Sequence, residues 1–404
     1  MEPLRILFIC PYLPSIIRVR PYNLIQALAR RGHLITLLAL EPPAEDVSGL
    51  DTLREWCQRV EVIPLPRWRP LWNGMRAIPS LTPFQAAYSR SPQMANLIRR
   101  VQSEAAFDVV HVEHLRGAEL SQAVKGVPIV FDSVDSITLL FEHVRRSGPT
   151  WRSRMMAGLD LARTRRYEGH LLERYRRVLV TSPCDRDALA RISTTPDVDG
   201  RLVVLPNGVD LDYFAPRPRA TPRDPATIIF TGKMSYHANT AAALDLAVQV
   251  MPHVWRQRPE ARLAIVGKDP PASLLALTGD PRIVVTGTVA DLRPYLAQAT
   301  VAVSPIRYGV GIQNKVLEAM AMAAPVVSTP QATTALQVQA GQDLLVADTS
   351  QGIAESILAL LADEGLRHRI GQAGRRYVET YHNWALAAEK LETIYCQAMA
   401  EARG

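Results

Sequence analysis

Short apolar runs alternate with amphipathic stretches along most of this chain. The runs at residues 4–10 and 34–40 are almost continuously apolar, which is typical of central strands in a parallel sheet. Between them, residues 22–31 have helical periodicity, with Pro21 suited to the first helical turn and Gly32 to the end of the helix. This order of strand, helix and strand predicts a right-handed βαβ unit. We therefore expect an α/β fold with parallel sheets.

The same alternation continues through the rest of the chain. It predicts further strands at residues 60–65, 107–114, 128–135, 177–182, 227–233, 262–268, 283–289, 301–304, 325–327 and 343–347. It also predicts amphipathic helices at residues 291–299, 353–362, 366–379 and 384–400. Residues 71–90 are rich in Pro, Trp and Ser, and we expect a wrapping segment or a flexible flap there.

The length of the chain and its turn residues predict two domains. A chain of 404 residues is enough for two domains of ordinary size. Asn207-Gly208 has the composition of a turn, and residues 217–225 read as a proline-rich linker. We therefore expect one domain at residues 1–208 and a second at 209–383.

Composition excludes several classes of protein. No apolar run reaches the roughly 18 residues that a transmembrane helix needs. The amino terminus enters a strand pattern without a basic leader or a cleavage site, so we expect no signal peptide. The four cysteines are scattered, as expected of reduced thiols in a cytoplasmic protein, and no His-rich or Asp-rich cluster predicts a metal site.

Positive charge is concentrated in residues 145–177. This stretch has ten Arg against three acidic residues, a net charge of +7 that equals the net charge of the whole chain. One interpretation is a basic surface that contacts an anionic partner, which is either lipid headgroups or the acceptor. The other interpretation is a solvated helix face. The stretch lacks the aromatic and glycine arrangement of a nucleic-acid-binding module, so we expect no nucleic-acid partner.

Lysine is rare in this chain, since all but five of the 46 basic residues are Arg. Lys233, Lys268 and Lys315 each come just after a predicted strand, where open α/β sheets bind ligands. A compact ammonium suits a diphosphate, so at least two of these lysines are expected to face one. Chance placement is the alternative interpretation.

The stretch 304–329 has the clearest chemical pattern. It predicts a strand end, a glycine loop at 309–311, a helix with Asn314 as its N-cap, and another strand. The free amides at the helix start and the charge of Lys315 suit phosphate oxygens. Glu318, one turn later, can accept hydrogen bonds from the sugar hydroxyls of a nucleotide. The alternative is a glycine turn with a solvated Lys-Glu pair.

These residues resemble the donor-site signature of retaining glycosyltransferases of the GT-B fold, family 4 (group 1). The resemblance is closest to the branch associated with exopolysaccharide biosynthesis. Of the two glutamates in the family's signature, Glu318 matches the second, which binds the nucleotide ribose, and Val310 occupies the position of the first. The contact of that first glutamate with the donor sugar must then come from backbone amides at 309–311, or it is lost.

The resemblance implies two doubly wound, Rossmann-like domains that face each other across a cleft. The donor would bind the second domain and the acceptor the first, with the helix at 384–400 packing back on the first domain. Lys233 stands where related enzymes have Arg, and Asn239 where they have Lys. The donor-binding set implied by the resemblance is Gly232, Lys233, Asn239, Lys268, Val289, Tyr308, Gly309, Val310, Gly311, Ile312, Asn314, Lys315 and Glu318.

The resemblance also suggests residues on the acceptor side. The family has a glycine pair in the loop after the first strand, whereas this chain has Arg18 and Arg20 in the predicted loop 11–20. These arginines are expected to reach phosphate or acceptor, and a structural role is an equal alternative. His111 and His114, at the end of a later strand, are further acceptor-side candidates.

Two aspartates follow the strand predicted at 128–135, where the family often has a histidine that faces the donor sugar. We expect Asp135 to hold an acceptor hydroxyl or to stabilise an oxocarbenium-like charge. We interpret Asp132 as the cap of the next helix instead. The catalytic residues predicted in this way are Lys233, Lys315 and Asp135.

The expected function is retaining transfer of a hexose from a nucleotide-diphosphate sugar to a glycan, a lipid-linked glycan or a small acceptor. We expect this reaction in polysaccharide or cell-envelope biosynthesis, without metal or cofactor, in a cytoplasmic protein that contacts the inner face of the membrane through residues 145–177. The alternatives are a nucleotide-sugar epimerase and a catalytically silent GT-B binding protein. A hydride-transfer enzyme is disfavoured because no strand-linked G-x-G-x-x-G motif is present.

Overall fold

The structure is a computed structural model, and it describes residues 2–15, 18–41, 49–147, 151–216, 226–307 and 312–403. The chain forms two compact units. Unit 1 consists of Met1–Pro206 and Trp384–Gly404, and unit 2 of Asn207–Asn383. Each unit has its own parallel sheet and its own apolar core, as expected of an α/β protein with two domains.

Unit 1 is built on a sheet of seven parallel strands. They are β1 (Arg5–Cys10), β2 (Leu34–Glu41), β3 (Arg59–Pro64), β4 (Val109–Glu113), β5 (Ile129–Val134), β6 (Arg177–Val180) and β7 (Leu202–Val204). Their order is β3-β2-β1-β4-β5-β6-β7. Every residue of β4 is buried, which explains the nearly continuous apolar runs in the sequence. The order reverses between β1 and β4, and open α/β sheets bind ligands at such a switch point.

In the described residues of unit 1, ten α-helices precede the start of unit 2. They are α1 (Val19–Arg30), α2 (Leu50–Trp56), α3 (Trp68–Ala77), α4 (Phe84–Ala87), α5 (Pro92–Glu104), α6 (His114–Gly117), α7 (Ile137–Ser147), α8 (Trp151–Gly169), α9 (Leu171–Arg174) and α10 (Pro183–Ile192). Helices α5 and α10 both begin with a serine cap followed by proline: Ser91 accepts a hydrogen bond from the amide of Met94, and Ser182 accepts one from the amide of Asp185.

One local prediction for unit 1 is wrong, because Arg20 lies inside α1 and not in the preceding loop. Residues 71–90, predicted to wrap the acceptor side or to act as a flexible flap, contain α3 and α4, and both alternatives stay predictions. Helix α3 is held by Asn73, whose side-chain amide donates to the carbonyl oxygens of Tyr88 and Arg90 at 3.1 and 2.9 Å.

Unit 2 is built on six parallel strands. They are β8 (Thr227–Thr231), β9 (Arg262–Val266), β10 (Ile283–Val285), β11 (Val301–Ser304), β12 (Val326–Ser328) and β13 (Leu345–Val346). Their order is β10-β9-β8-β11-β12-β13, so the switch point lies between β8 and β11. Ile228, Phe230, Leu263, Ile265 and Val301 from three neighbouring strands lie in one buried cluster.

The described part of unit 2 contains eight α-helices. They are α11 (His237–Asp245), α12 (Met251–Trp255), α13 (Ala272–Leu275), α14 (Arg293–Gln298), α15 (Asn314–Ala321), α16 (Pro330–Thr333), α17 (Ser350–Ala362) and α18 (Glu364–Tyr381). Thr349 and Asp363 cap α17 and α18 through their side chains. No helix in the described part of the chain is long and apolar enough to cross a membrane.

The last helix, α19 (Trp384–Arg403), belongs to unit 1. Its buried residues, including Leu391 and Tyr395, share a core cluster with Phe8 of β1. Glu392 of α19 accepts hydrogen bonds from Arg31 Nη2 and from His33 Nε2, both at 2.6 Å. Apolar packing and a partly buried charge pair therefore fix this helix on the first βαβ unit.

Candidate functional site

Two glycines bring the backbones after β8 and β9 into contact. Gly232 and Gly267 have φ angles of 151° and 152°, which L side chains rarely adopt. A Cβ on Gly267 would lie 1.7 Å from the carbonyl oxygen of Gly232. The amide of Met234 also donates to the carbonyl oxygen of Lys268 at 2.8 Å. The turns that carry Lys233 and Lys268 are therefore packed together at the carboxyl ends of neighbouring strands.

Lys315, in the first turn of α15, is fixed against the turn that follows β8. Its Nζ donates to Asn239 Oδ1 at 2.8 Å and to Gln313 Oε1 at 3.2 Å. Asn239 Nδ2 in turn donates to the carbonyl oxygen of Lys233 at 2.9 Å. A Cβ on Gly232 would lie 2.8 Å from Asn239 Nδ2, so close packing at this turn requires glycine. One amide side chain thus connects the ammonium with the backbone of the β8 turn.

Lys315 and Glu318 have pKa values shifted towards their neutral forms. Burial lowers the pKa of Lys315 to about 8, and the charge of Glu318 opposes this shift. Burial raises the pKa of Glu318 to about 7, and the charge of Lys315 opposes that shift. A phosphate oxygen beside Lys315 would favour the charged ammonium again. Lys315 would therefore be stabilised in its charged form by an anion placed beside it.

The structure brings five of the predicted donor-site residues together: Gly232, Lys233, Asn239, Lys268 and Lys315. The side chain of Lys233 is exposed, whereas that of Lys268 is half-buried. Two further predicted residues, Val289 and Ile312, both pack against a second core cluster of unit 2.

Part of the predicted glycine loop lies outside the described residues. This applies to Tyr308, Gly309, Val310 and Gly311, whose roles remain predictions. Asn314 is the first residue of α15 and Gln313 occupies the N-cap position, so the prediction that Asn314 is the cap is wrong. The side-chain oxygen of Asn314 is buried and has no hydrogen-bond partner among the described residues.

Arg20 and His111 lie in a buried network around Asp132 in unit 1. Arg20 Nε donates to Asp132 Oδ2 at 2.8 Å, and Arg20 Nη1 donates to the carbonyl oxygen of Leu205 at 2.9 Å. His111 Nε2 lies 3.6 Å from the same aspartate oxygen, and His111 Nδ1 is hydrogen-bonded to the hydroxyl of Tyr395 at 2.9 Å. This geometry favours the structural role that the sequence left open for Arg20.

Asp132 does not cap the helix that follows β5, contrary to the sequence interpretation. Glu168 accepts hydrogen bonds from the first amides of α7, those of Ile137 and Thr138, at 2.8 and 2.9 Å. Asp132 Oδ1 instead accepts from the amide of Val134 at 3.1 Å. The local cap is Ser136, whose Oγ accepts from the amide of Leu139 at 3.2 Å, and Glu168 of α8, 31 residues from Ile137 in sequence, adds two further hydrogen bonds.

Asp135 lies at a strained end of β5. The preceding residue, Val134, has a φ of 68°, and the register between β5 and β6 shifts there. Thr181 Oγ1 donates to Asp135 Oδ1 at 3.0 Å. Burial and then the charge of Asp185 raise the pKa of Asp135 to about 6. At neutral pH the carboxylate is mostly ionised and can accept a hydrogen bond from a hydroxyl group.

A second polar cluster lies at the carboxyl ends of β1 and β4. The hydroxyl of Tyr12 donates to Glu113 Oε1 at 2.9 Å, and the guanidinium of Arg18 lies 4.4 Å from the centre of the Tyr12 ring. His114 contacts Tyr12 edge to face and has a φ of 63°. Burial raises the pKa of Glu113 to about 8, so this carboxyl group is mainly protonated at neutral pH.

Sequence reasoning missed three residues of these sites, namely Tyr12, Gly267 and Gln313. The sequence shows a predicted strand that ends in Gly267, but it does not show that this glycine packs against the backbone of Gly232. Tyr12 and Gln313 follow no motif and are identified only by their contacts. Within the described ranges, no group of three or more His, Cys, Asp or Glu side chains is placed to hold a metal ion.

Family comparisons match both units. Residues 17–208 match the model described as "Glycosyl transferase 4-like domain", and residues 225–363 match "Glycosyl transferases group 1". The second match includes the turns after β8 and β9 and the whole of α15. The two models therefore cover β2 to β7 of unit 1, all six strands of unit 2, and Lys233, Lys268 and Lys315.

Curated relatives are similar over all or part of the chain. A phosphatidyl-myo-inositol mannosyltransferase of Mycobacterium leprae is 25% identical over 414 aligned residues, which cover 97% of this chain and 96% of that protein. A GDP-mannose-dependent monoacylated alpha-(1-6)-phosphatidylinositol monomannoside mannosyltransferase of Corynebacterium glutamicum is 29% identical over 213 residues. These cover 47% of this chain and 55% of the relative.

A solved structure shows the same fold. HepE of Anabaena, crystallised with UDP and glucose, superimposes with a TM-score of 0.68 at 14% sequence identity, covering 98% of this chain and 100% of that one. Both sheets are parallel and doubly wound, with the switch points described above. The two family models and the full-length relative, together with this fold, identify the chain as a group 1 glycosyltransferase with the GT-B fold.

Proposed function

We propose that this glycosyltransferase moves a hexose from a nucleoside-diphosphate sugar to a glycan, a lipid-linked glycan or a small acceptor, with retention of anomeric configuration. The reaction would serve polysaccharide or cell-envelope biosynthesis. The hydrogen bond from Lys315 to Asn239 is the observation that carries the proposal. It holds a largely desolvated ammonium beside the glycine turn of β8, where open α/β sheets bind ligands.

The proposed chemistry depends on stabilising the leaving group. The acceptor hydroxyl forms a bond to the anomeric carbon while the bond between that carbon and the diphosphate oxygen breaks, and the hydroxyl proton passes to the departing diphosphate. Negative charge then increases on the departing diphosphate. Lys315, Lys233, Lys268 and the amide groups at the start of α15 would stabilise this charge. Removal of one such interaction costs roughly 3–4 kcal/mol of transition-state stabilisation.

The remaining proposed donor contacts involve the nucleoside and the sugar. Glu318 would accept hydrogen bonds from the ribose hydroxyls, and Val289 would lie near the base. Because Val310 replaces the first glutamate of the signature, the donor sugar would be held by backbone amides at 309–311. We propose that no metal or other cofactor is needed besides the donor.

The acceptor is proposed to bind unit 1 at the carboxyl ends of its central strands. Asp135 would accept a hydrogen bond from the attacking hydroxyl, and its partly exposed side chain is compatible with this role. Arg18 and His114 lie beside Tyr12 at the neighbouring strand ends and would contact the rest of the acceptor. Backbone strain at His114 and Val134 supports a site there, because strain concentrates at functional positions.

The names of the relatives guide the choice of donor. Two are named as mannosyltransferases, and one of these as GDP-mannose-dependent, whereas the structure of HepE contains UDP and glucose. GDP-mannose and UDP-glucose are therefore the first donors to test. Lys233, Lys268 and Lys315 would contact the diphosphate that both donors share, so these lysines would not distinguish between the bases.

A thermal-shift series with UDP, GDP, ADP and TDP tests the donor site. The matching diphosphate should raise the melting temperature, since a ligand that binds only the folded state stabilises it. The corresponding sugar donor is then incubated with candidate acceptors, and the anomeric configuration of the product is read by NMR. Incubation with donor alone distinguishes an epimerase, which would convert the sugar. Absence of stabilisation by every diphosphate would overturn the proposed donor site.

A further inference from the structure

Two helices of unit 1 expose apolar stripes at helical spacing. In α3 the stripe consists of Trp68, Leu71, Trp72 and Met75, which are 46–71% exposed. The spacing of these residues places them on one face of the helix. The opposite face is fixed, because Asn73 and Ala77 are buried and Asn73 is hydrogen-bonded to the following segment. In a globular protein such a stripe normally faces the core, so its exposure needs an explanation.

Helix α8 has a similar stripe in its first half. Trp151, Met155, Met156 and Leu159 are each at least 48% exposed. The opposite side of the helix is packed against the protein, since Ala157 and Thr164 there are buried. We call these eight residues of α3 and α8 the α3–α8 face.

The ends of the two stripes are connected. Both carboxylate oxygens of Asp160 accept from the amide of Phe84, at 2.9 and 3.2 Å. Arg163 Nη2 donates to the carbonyl oxygen of Ile78, directly after α3, at 2.8 Å. Ile78 is itself 59% exposed, and Leu159 precedes the contact point on α8. These hydrogen bonds therefore tie α8 to the segment that directly follows α3.

Exposed positive charge surrounds the α3–α8 face. Residues 67–82 contain three arginines and no acidic residue. In residues 151–166 the only acidic residue is Asp160, which is 3% exposed and hydrogen-bonded to Phe84. Arg67 directly before α3, Arg76 on α3, and Arg152 and Arg154 on α8 are exposed. An apolar stripe with tryptophan and a basic margin is typical of helices that lie in the headgroup region of anionic membranes.

We propose that the α3–α8 face docks unit 1 on the surface of an anionic lipid bilayer. The tryptophan, leucine and methionine side chains would enter the boundary between headgroups and acyl chains, while the arginines contact the phosphates. A second copy of the chain fits less well, because a two-fold contact would place arginines of one copy against those of the other. The proposal extends the sequence prediction for residues 145–177 to α3, and it does not depend on the donor chemistry.

Flotation with lipid vesicles tests this proposal without turnover. The intact chain is mixed with vesicles of phosphatidylcholine alone or of phosphatidylcholine with phosphatidylglycerol. The variant Leu71→Gln/Trp72→Gln/Met155→Gln/Leu159→Gln changes only exposed side chains, and thermal melting checks its fold. A matched control, Val248→Gln/Leu275→Gln/Val284→Gln, changes exposed apolar residues of unit 2.

The chain should bind the anionic vesicles and not the neutral ones, with binding that weakens as salt rises. The α3–α8 variant should bind at least about tenfold more weakly, whereas the unit 2 control should bind like the unchanged chain. Equal loss in both variants, or equal binding to both kinds of vesicle, would overturn the proposal. A self-association in sedimentation velocity that disappears only in the α3–α8 variant, without vesicle binding, would identify a second copy as the occupant instead.

Discussion

Lys315 Nζ lies 2.8 Å from Asn239 Oδ1, although 76 residues separate the two in sequence. The contact joins the start of α15 to the start of α11, and through Asn239 to the carbonyl oxygen of Lys233. It orients an ammonium that burial has already made less basic. Position and reduced solvation together explain why we assign this lysine to the diphosphate.

We expect Lys315→Ala to lower kcat on the order of a hundredfold or more, because it removes one of the groups that stabilise the leaving diphosphate. Steady-state kinetics with the donor found by thermal shift measure this effect. Lys125→Ala, at an exposed position of unit 1, is the control and should retain its rate. A Lys315→Ala enzyme with a nearly unchanged kcat would contradict the assignment.

The affinity for nucleoside diphosphate should depend on pH through Lys315. The free protein has a Lys315 pKa of about 8, and the bound anion raises it, so affinity is full below about pH 8 and decreases above it. Calorimetric titrations between neutral and alkaline pH measure the change. In Lys315→Arg the guanidinium stays charged, so the decrease should be absent. Identical pH profiles for the two proteins would mean that another group is responsible.

Glu318→Ala should mainly weaken nucleotide binding, because its proposed partner is the ribose. A lost hydrogen bond to a charged group costs roughly 1.5–3 kcal/mol, equivalent to about a tenfold or greater rise in Kd. Titration with the matching diphosphate measures it, and the exposed Glu355→Ala serves as control. If Glu318→Ala binds the nucleotide with unchanged affinity, this role for the carboxylate is wrong.

Gly267→Ala should destabilise unit 2. The added Cβ would lie 1.7 Å from the carbonyl oxygen of Gly232, and a φ of 152° is unfavourable for alanine. We expect a loss on the order of 3 kcal/mol in the free energy of unfolding. Gly279→Ala has no atom within 4 Å of the added Cβ and should change stability by less than about 1 kcal/mol. Denaturant unfolding compares the two, and equal midpoints would show that the turns can separate without cost.

Arg20→Met should destabilise unit 1 by about 3–5 kcal/mol, since it leaves Asp132 buried without its charge partner. The double variant Arg20→Met/Asp132→Leu should lose less, because neither charge remains. Unfolding in urea measures both, with the exposed Arg99→Met as control. A double variant less stable than the single one would indicate that Asp132 is needed for a reason other than Arg20.

The strands were predictable because burial on both faces of a parallel sheet leaves a nearly continuous apolar run in the sequence. The pattern of β1, from Arg5 to Cys10, shows this directly. The parallel sheet also made the placement of the lysines predictable, since parallel strands place their carboxyl ends along one edge. The hydrogen-bond partners of Lys315 were not predictable, because Asn239 and Gln313 belong to no common local pattern.

Other features could not be read from the sequence for physical reasons. The apolar stripe of α3 has the same spacing as a core-facing helix, and only the structure shows that it is exposed. The pairing of Arg20 with Asp132 spans 112 residues and leaves no periodic signal. The hydrogen bond from the amide of Ile137 to Glu168 of α8 likewise joins residues 31 apart in sequence, and it adds to the local cap formed by Ser136.

Helix α19 belongs to unit 1 but is synthesised after unit 2. Unit 1 needs Leu391 and Tyr395 to complete a core that begins with Phe8, and all of unit 2 is made before them. A nascent chain that has just left the ribosome as far as β7 would therefore expose part of that core until residues 384–403 emerge. Unit 2, whose segment is continuous, can fold first. We expect the amino-terminal half to need protection by chaperones during this interval.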